Sequence, residues 1–330
     1  MDPRVLAAPA PDLTAWIGNT PLVPIGGLEG VPGSVSVLGK AEWLNPGGSV
    51  KDRAAWGMVR AAEAREAPGR RDRVLLDATS GNTGIALAWI GAARGHRVHL
   101  CVPANANTER RRLLAALGAE VTLTDPLEGT DGSIREAQRL AAAEPVSYLY
   151  LDQYSNEANW RAHVEGTARE IWTQSHGRIT HFVAGIGTSG TLVGTARGLR
   201  ELAAAAGNRA PGGAAGDRAA REGRASSIEI IAVQPDSPYH ALEGLKHLGS
   251  AIVPPIYDPS AHDRMIEVAS DAAIDMVRLQ ARRGLLLGWS AGAAVVAAAQ
   301  MAREIEHGCV VCVLPDGAER YLSEPLWQEP

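Results

Sequence analysis

The segment Asn45-Pro46-Gly47-Gly48-Ser49-Val50-Lys51-Asp52-Arg53 joins a tight turn to a lysine that opens an alanine-rich stretch with helical spacing. A cation there is electrostatically misplaced, because the helix macrodipole leaves partial positive charge at the N-terminus. A neutral amine, or one tied up as an imine, is repelled less. A desolvated lysine is also the side chain that condenses with carbonyl groups. An ordinary lysine at a frayed helix start would read the same way, so this motif alone leaves both readings open.

A second turn, Thr79-Ser80-Gly81-Asn82-Thr83-Gly84, follows the apolar run VLLDA. Hydroxyls, an amide and backbone N–H groups gathered at a helix N-terminus make an anion site of a size that suits a carboxylate. Ser80 or Asn82 could instead cap the helix. Capping needs one such residue, however, and a whole series of small or polar ones stands here.

The third turn, Gly185-Ile186-Gly187-Thr188-Ser189-Gly190-Thr191, lies between HFVA and LVGTARGLRE and has the makings of a phosphate cradle. Gly185, Gly187 and Gly190 also satisfy G-x-G-x-x-G. The dinucleotide fingerprint further expects an acidic residue about 20 positions on, at the end of the next strand. The next strand-like run is Ile228–Val233, far beyond that spacing, and Gln234 stands at its end. The phosphate reading survives and the dinucleotide reading weakens.

The elements that must position these turns alternate along the chain. Strand-like runs occur at Val74–Leu76, Val98–Val102, Glu120–Leu123, Tyr148–Leu151, His181–Ala184, Ile228–Val233, Leu285–Leu287 and Val310–Leu314. Helical spacing fills Thr83–Arg94, Glu109–Leu117, Ile134–Ala143, Glu157–Gln174 and Ala269–Arg282. This rhythm predicts an α/β chain with mostly parallel sheets covered on both faces. Ligands of such sheets bind beyond the carboxyl ends of the strands, where the three turns fall. The stretch Gly207–Ser227, rich in Gly, Ala and charge, breaks the rhythm and reads as a flexible surface insertion.

Bulk properties narrow the classes further. The 330 residues favour two domains, since single cores stop growing near roughly 250–300 residues. A net charge of −5 argues against a nucleic-acid or anionic-membrane partner. Arg110-Arg111-Arg112 and Arg70-Arg71 read as solvated faces. The start, MDPRVLAAPAPDLTAW, has no signal-peptide pattern, and no apolar run is long enough for a bilayer. With three cysteines and no disulfide framework, a cytoplasmic protein is expected. Cys309 and Cys312 form C-x-x-C inside the strand-like run CVVCVLP, where residues three apart point to opposite faces. No second pair completes a zinc site, and no histidine spacing suits a metal, so none is expected.

A lysine turn, a carboxylate cradle and a phosphate cradle on one sheet describe an amino-acid enzyme using pyridoxal 5′-phosphate. The sequence resembles the cysteine synthase group (O-acetylserine/O-phosphoserine sulfhydrylases) of fold-type II pyridoxal-phosphate enzymes, and within it the cysteine synthase B-like branch. NPGGSVKDR, TSGNTGIALA, GIGTSGT and GWSAGAA carry the likeness, which runs from Ile17-Gly18-Asn19-Thr20-Pro21-Leu22 to Glu319-Arg320-Tyr321-Leu322-Ser323. The resemblance implies a tryptophan synthase β-like α/β fold of two three-layer domains with mostly parallel sheets. Residues 46–157 would form a smaller mobile domain, and residues 1–45 and 158–330 a larger one.

For the site, the resemblance implies that Lys51 holds the cofactor as an imine and then takes the substrate Cα proton. Asn82 would bond the cofactor's 3′-oxygen, and Gly187, Thr188, Ser189, Gly190 and Thr191 its phosphate. Ser290 would face the pyridine nitrogen. Thr79, Ser80, Gly81, Thr83 and Gln153 would receive the substrate carboxylate. The implied activity is replacement of the leaving group of O-acetylserine, or O-phosphoserine, by sulfide or another sulfur donor through an α-aminoacrylate, giving L-cysteine. A homodimer is implied as well. Glu243-Gly244-Leu245-Lys246-His247-Leu248 resembles the branch that includes O-phosphoserine users, where a basic side chain meets the donor's phosphate. Lys246 stands there as a lysine, a mobile point charge rather than the fork of an arginine, and a solvated loop lysine is the competing reading. Cystathionine β-synthase-like enzymes and serine/threonine dehydratases share this architecture, but the dehydratases typically continue the asparagine loop as S-G-N-H-A. A nicotinamide oxidoreductase would explain only the third turn.

Overall fold

The computed structural model describes residues 12–66, 72–79, 81–208, 227–324 and 327. Ser80, Arg70-Arg71 and nearly all of the 207–227 insertion lie outside the described residues. In chain order the strands are β1 (Leu22–Pro24), β2 (Val35–Ala41), β3 (Val74–Ala78), β4 (Val98–Pro103), β5 (Glu120–Thr124), β6 (Tyr148–Tyr150), β7 (His181–Gly185), β8 (Glu229–Pro235), β9 (Arg264–Val268) and β10 (Gly308–Leu314). They form two sheets. One runs β5-β4-β3-β6, parallel throughout. The other runs β1-β2-β10-β7-β8-β9, with only the β1–β2 pair antiparallel.

Helices cover both sheets: α1 (Lys51–Glu63), α2 (Asn82–Arg94), α3 (Thr108–Ala116), α4 (Gly129–Ala143), α5 (Glu157–Ala162), α6 (Ala168–Gln174), α7 (Gly190–Asn208), α8 (Ser270–Ala281) and α9 (Trp289–Glu304). Strands buried on both faces show why the parallel pattern was legible: β3 and β4 are buried at every position. In β10 the pleat splits the side chains, with Val310, Cys312 and Leu314 in one core and Val311 and Val313 in another. Cys309 packs against the second core and Cys312 sits in the first, so the C-x-x-C faces two ways and both thiols are free.

Two expectations need correction. Leu285–Leu287 is not a strand. Its backbone is spent closing α8, where Gly284 at φ +85° turns the chain and the Leu285 N–H donates to the Gln280 carbonyl at 3.0 Å. Nor is Glu157–Gln174 one regular helix, because a π-helical turn at His163–Thr167 separates α5 from α6. Strands β1, β2 and β9 lie outside the strand-like runs of the sequence. Among the described residues no helix is long and apolar enough to cross a membrane.

Candidate active site

Each turn opens a helix, but the three do not share one sheet: the asparagine turn follows β3 of the four-stranded sheet, the Gly185–Thr191 turn follows β7 of the six-stranded one, and the lysine turn follows a short 3-10 turn (Glu42–Leu44) after β2. Lys51 is the first residue of α1. Two residues on, the Arg53 guanidinium is buried and forked between carboxylates, with Nε to Glu42 Oε2 and Nη1 to Glu170 Oε1, each at 2.7 Å. A buried charge answered on both sides fixes the helix start and with it the lysine. The Lys51 amine makes no hydrogen bond or ion pair among the described residues. Burial pulls its pKa below the ordinary lysine value, and the nearby Asp316 carboxylate pushes back.

Lys51 borders two connected spaces. A cavity of about 610 Å³ receives Thr79, Gly81, Asn82, Thr83 and Gln153 from the small-sheet side, and Gly187, Thr188 and Lys246 from the other. A recess of about 30 Å³ beside it is lined by Lys51, Asn82, Gly187, Thr188, Ser189, Thr191 and Ser290. All but two of the expected site residues therefore meet in one place. Gly190 sits just behind, as the first residue of α7, and Ser80 falls outside the described residues.

The asparagine turn is wired more tightly than its sequence suggests. The Thr79 hydroxyl accepts the Gly81 and Gly84 N–H groups at 3.0 and 3.1 Å, so the N-terminus of α2, where Gly81 is the N-cap and Asn82 the first residue, is satisfied from Thr79. Thr83 Oγ1 donates to Gln153 Oε1 at 2.7 Å, and Gln153 Nε2 donates to the Ala78 carbonyl at 2.5 Å. The Asn82 amide is held from both ends: Arg320 Nη1 donates to its Oδ1 at 2.5 Å, and its Nδ2 donates to Asp316 Oδ2 at 2.7 Å.

On the third turn, Ser189 takes φ +68° and its hydroxyl turns back to the Thr188 carbonyl at 2.5 Å. Thr188 Oγ1 accepts from Asn159 Nδ2 at 3.3 Å, and Thr191 Oγ1 pairs with His163 Nε2 at 3.2 Å. Burial pushes His163 down to about 3, so it is a neutral partner at the loop. At the end of β8 the Gln234 amide is tied up with Glu267 and the Leu248 N–H.

At the mouth of the cavity Lys246 Nζ lies 3.3 Å from Asp131 Oδ1 of α4 and over the Tyr154 ring. Arg110 corrects an expectation: it is a buried side chain rather than a solvated one, bonded to Glu243 and stacked over Tyr321. Arg111 and Arg112 are exposed. Asp316, Arg320, Tyr321, Glu243, Asn159 and His163 went unrecognised as site residues. Only the tail motif around Arg320-Tyr321 hinted at any of them.

A family model described as "Pyridoxal-phosphate dependent enzyme" matches residues 13–316. The chain belongs to this family. Its cofactor is pyridoxal phosphate, and the residues present fit that group: a partnerless, desolvated amine, a hydroxyl-rich turn at a helix start and a buried serine share one recess. The chain is 45% identical over 320 residues to the cysteine synthase of Aquifex aeolicus (strain VF5), covering 95% of this chain and 91% of that protein. It is 37% identical over 320 residues to cysteine synthase B of Pseudomonas aeruginosa, covering 96% and 97%. The crystal structure of cysteine synthase (OASS) from Entamoeba histolytica superposes with a TM-score of 0.83 at 32% identity, over 96% of this chain and 90% of that one.

Proposed function

We propose that the chain is a cysteine synthase, which replaces the leaving group of O-acetylserine by sulfide to give L-cysteine. The observation that carries this reading is the partnerless, desolvated Lys51 amine at the meeting point of the asparagine turn, the phosphate-type turn and Ser290. Bound across the cavity and the recess that Lys51 borders, pyridoxal phosphate would supply an electron sink for loss of the Cα proton. Lys51 would hold the cofactor through its carbonyl carbon and would take that proton once freed. Asn82 offers its remaining amide hydrogen to the 3′-oxygen, and the backbone and hydroxyls of Gly187 to Thr191 hold the phosphate. Ser290, a hydroxyl and not a carboxylate, would leave the ring nitrogen largely unprotonated. A weaker sink would suit elimination, in which Cα gives its proton to Lys51 as the Cβ–O bond breaks and acetate leaves; sulfide then forms the Cβ–S bond and Lys51 returns the proton to Cα. Thr79, Ser80, Gly81, Thr83 and Gln153 receive the substrate carboxylate, and the Thr83–Gln153 hydrogen bond must open to admit it.

Residues 46–157 act as a smaller mobile domain that closes over the amino acid and keeps water from a hydrolysable intermediate. O-Phosphoserine is a second donor that meets Lys246, and sulfur donors other than sulfide fit the same chemistry. The working form is a cytoplasmic homodimer. Lys51→Ala should abolish cysteine formation while far-ultraviolet circular dichroism stays unchanged, because the side chain lines the cavity and the recess and its amine holds no hydrogen bond or ion pair among the described residues. Activity at a substantial fraction of wild type would make Lys51 a helix-start residue and nothing more.

A further inference from the structure

Asp316 lies two residues past the end of β10 and is pinned on both sides. Ser49 and Asp316 form an antiparallel bridge, the Val50 N–H donates to the Pro315 carbonyl at 2.8 Å, and the Gly288 N–H donates to the Asp316 carbonyl at 3.1 Å. Its backbone thus sits between the turn that presents Lys51 and the helix start that presents Ser290. The side chain is fully buried. Oδ2 accepts from Asn82 Nδ2 at 2.7 Å and from the Tyr321 hydroxyl at 2.6 Å, while Oδ1 is buried with no partner among the described residues.

This arrangement decides which way the Asn82 amide points. Its oxygen faces the Arg320 cation and its nitrogen faces the Asp316 anion. A flipped amide would set oxygen against carboxylate and N–H against guanidinium, two repulsive contacts in place of two charge-assisted bonds. One amide hydrogen remains, and Lys51 and Asn82 both line the recess. A buried carboxylate with an unanswered oxygen is costly unless charge nearby compensates it. The Lys51 nitrogen is the group that can supply it: burial disfavours its protonated form and the Asp316 carboxylate favours it.

We propose that Asp316 is a positioning residue of the cofactor site: it orients the Asn82 amide and places a negative charge beside the Lys51 nitrogen. The proposal rests on the cofactor reading above. The other charged or titratable groups around this point are spoken for. Arg320 binds Asn82 and the Gly47 carbonyl, Arg110 binds Glu243, and His163 binds Thr167 and Thr191. Tyr321 donates to Asp316 itself, and its hydroxyl is pushed well above the ordinary tyrosine range by burial and then by that carboxylate. Asp52, next to Lys51, accepts from the Gly47 N–H, and burial pushes it up to about 7. Its titration must therefore be separated from that of Lys51.

The test uses the cofactor-loaded protein with Asp316→Asn and Asp316→Ala, each made in the wild-type and Asp52→Asn backgrounds. Cofactor affinity is measured by titrating the resolved apoprotein, and the visible band that depends on Lys51 is followed against pH. Both variants should bind the cofactor roughly tenfold or more weakly, as loss of one charge-assisted bond implies. With the anion gone, the Lys51 nitrogen should lose its proton at lower pH, so the midpoint should move down in both backgrounds. If Asp316→Ala does not fold, the near-isosteric Asp316→Asn decides. Affinity and midpoint both unchanged in a folded variant would overturn the proposal. A wild-type band that survives Lys51→Ala would instead overturn the cofactor reading, and the Asp316 role with it.

Discussion

Lys246 shows how a residue's charge is settled by what stands opposite. A phosphorylated donor needs a cation, yet Asp131 already answers this one at 3.3 Å. Another cation of the cavity mouth, Arg110, is answered by Glu243 in the same way. We propose that a mouth of matched pairs suits a donor with an uncharged acetyl ester better than one with a phosphate, because a dianion must first displace a carboxylate. Lys246→Ala should cost O-phosphoserine about 1.5–3 kcal/mol in kcat/KM and spare O-acetylserine. Asp131→Asn should move the same ratio the other way by freeing the lysine. Equal effects of either substitution on the two donors would remove Lys246 from the phosphate's path. Residue type and turn spacing were the signals open to a reading of the sequence, and they served for Lys51, Asn82 and the Gly187–Thr191 loop. No local signal marked Asp131, Glu243 or Asp316: the Lys246, Arg110 and Asn82 side chains that they meet lie more than a hundred positions away. Arg110 was hidden by its own neighbours, since three consecutive arginines look alike until one of them turns inward.

At the level of elements, the packing of α7 against α5 and α6 sets the phosphate-type turn. Gly190, Gly194 and Gly198 recur every fourth residue along one face of α7, and a Cβ at Gly194 would run into the Trp160 carbonyl oxygen and the His163 side chain. The close approach brings Asn159 to Thr188 and His163 to Thr191. Gly194→Ala should therefore destabilise the fold by about 1–3 kcal/mol and weaken cofactor binding, because α5 must back away from the turn it supports. Gly207→Ala, near the end of the same helix with open space around it, is the control, and it should be neutral or slightly stabilising by up to about 1 kcal/mol. Thermal unfolding and cofactor titration of both variants give the comparison. Equal losses would mean that helix propensity, and not the close approach, sets the effect. Most strands of the two sheets announced themselves through burial and alternation, whereas the π-helical turn did not. Its residues, His163–Thr167, carry no Pro that would have signalled a break in the helical spacing of Glu157–Gln174.

Across the whole molecule the two sheets meet at the cavity, and polar ties over its mouth run from the 74–150 region to later segments of the chain. Arg110 of α3 reaches Glu243, Asp131 of α4 reaches Lys246, the Asn107 amide donates to the Arg320 carbonyl, and Ser323 donates to Glu109 at 2.9 Å. Bonds of this kind are polar and partly wet, so they can be exchanged at modest cost. The apolar cores gather mainly around their own sheets, although Ala158 of α5 packs against the β3–β4 cluster. We propose that the 46–157 body rotates as a unit, sliding at this contact while the polar ties exchange. An amino acid whose carboxylate binds at the start of α2 would draw that body inward, since the anion is held by backbone groups that move with the helix. Crystals grown with and without a bound amino acid should then differ in the position of residues 79–130 relative to the large sheet. Glu243→Gln, which removes one tie, should change how readily that shift occurs without altering either core. Coincident positions in the free and bound crystals would count against closure and would leave water free access to the site throughout turnover.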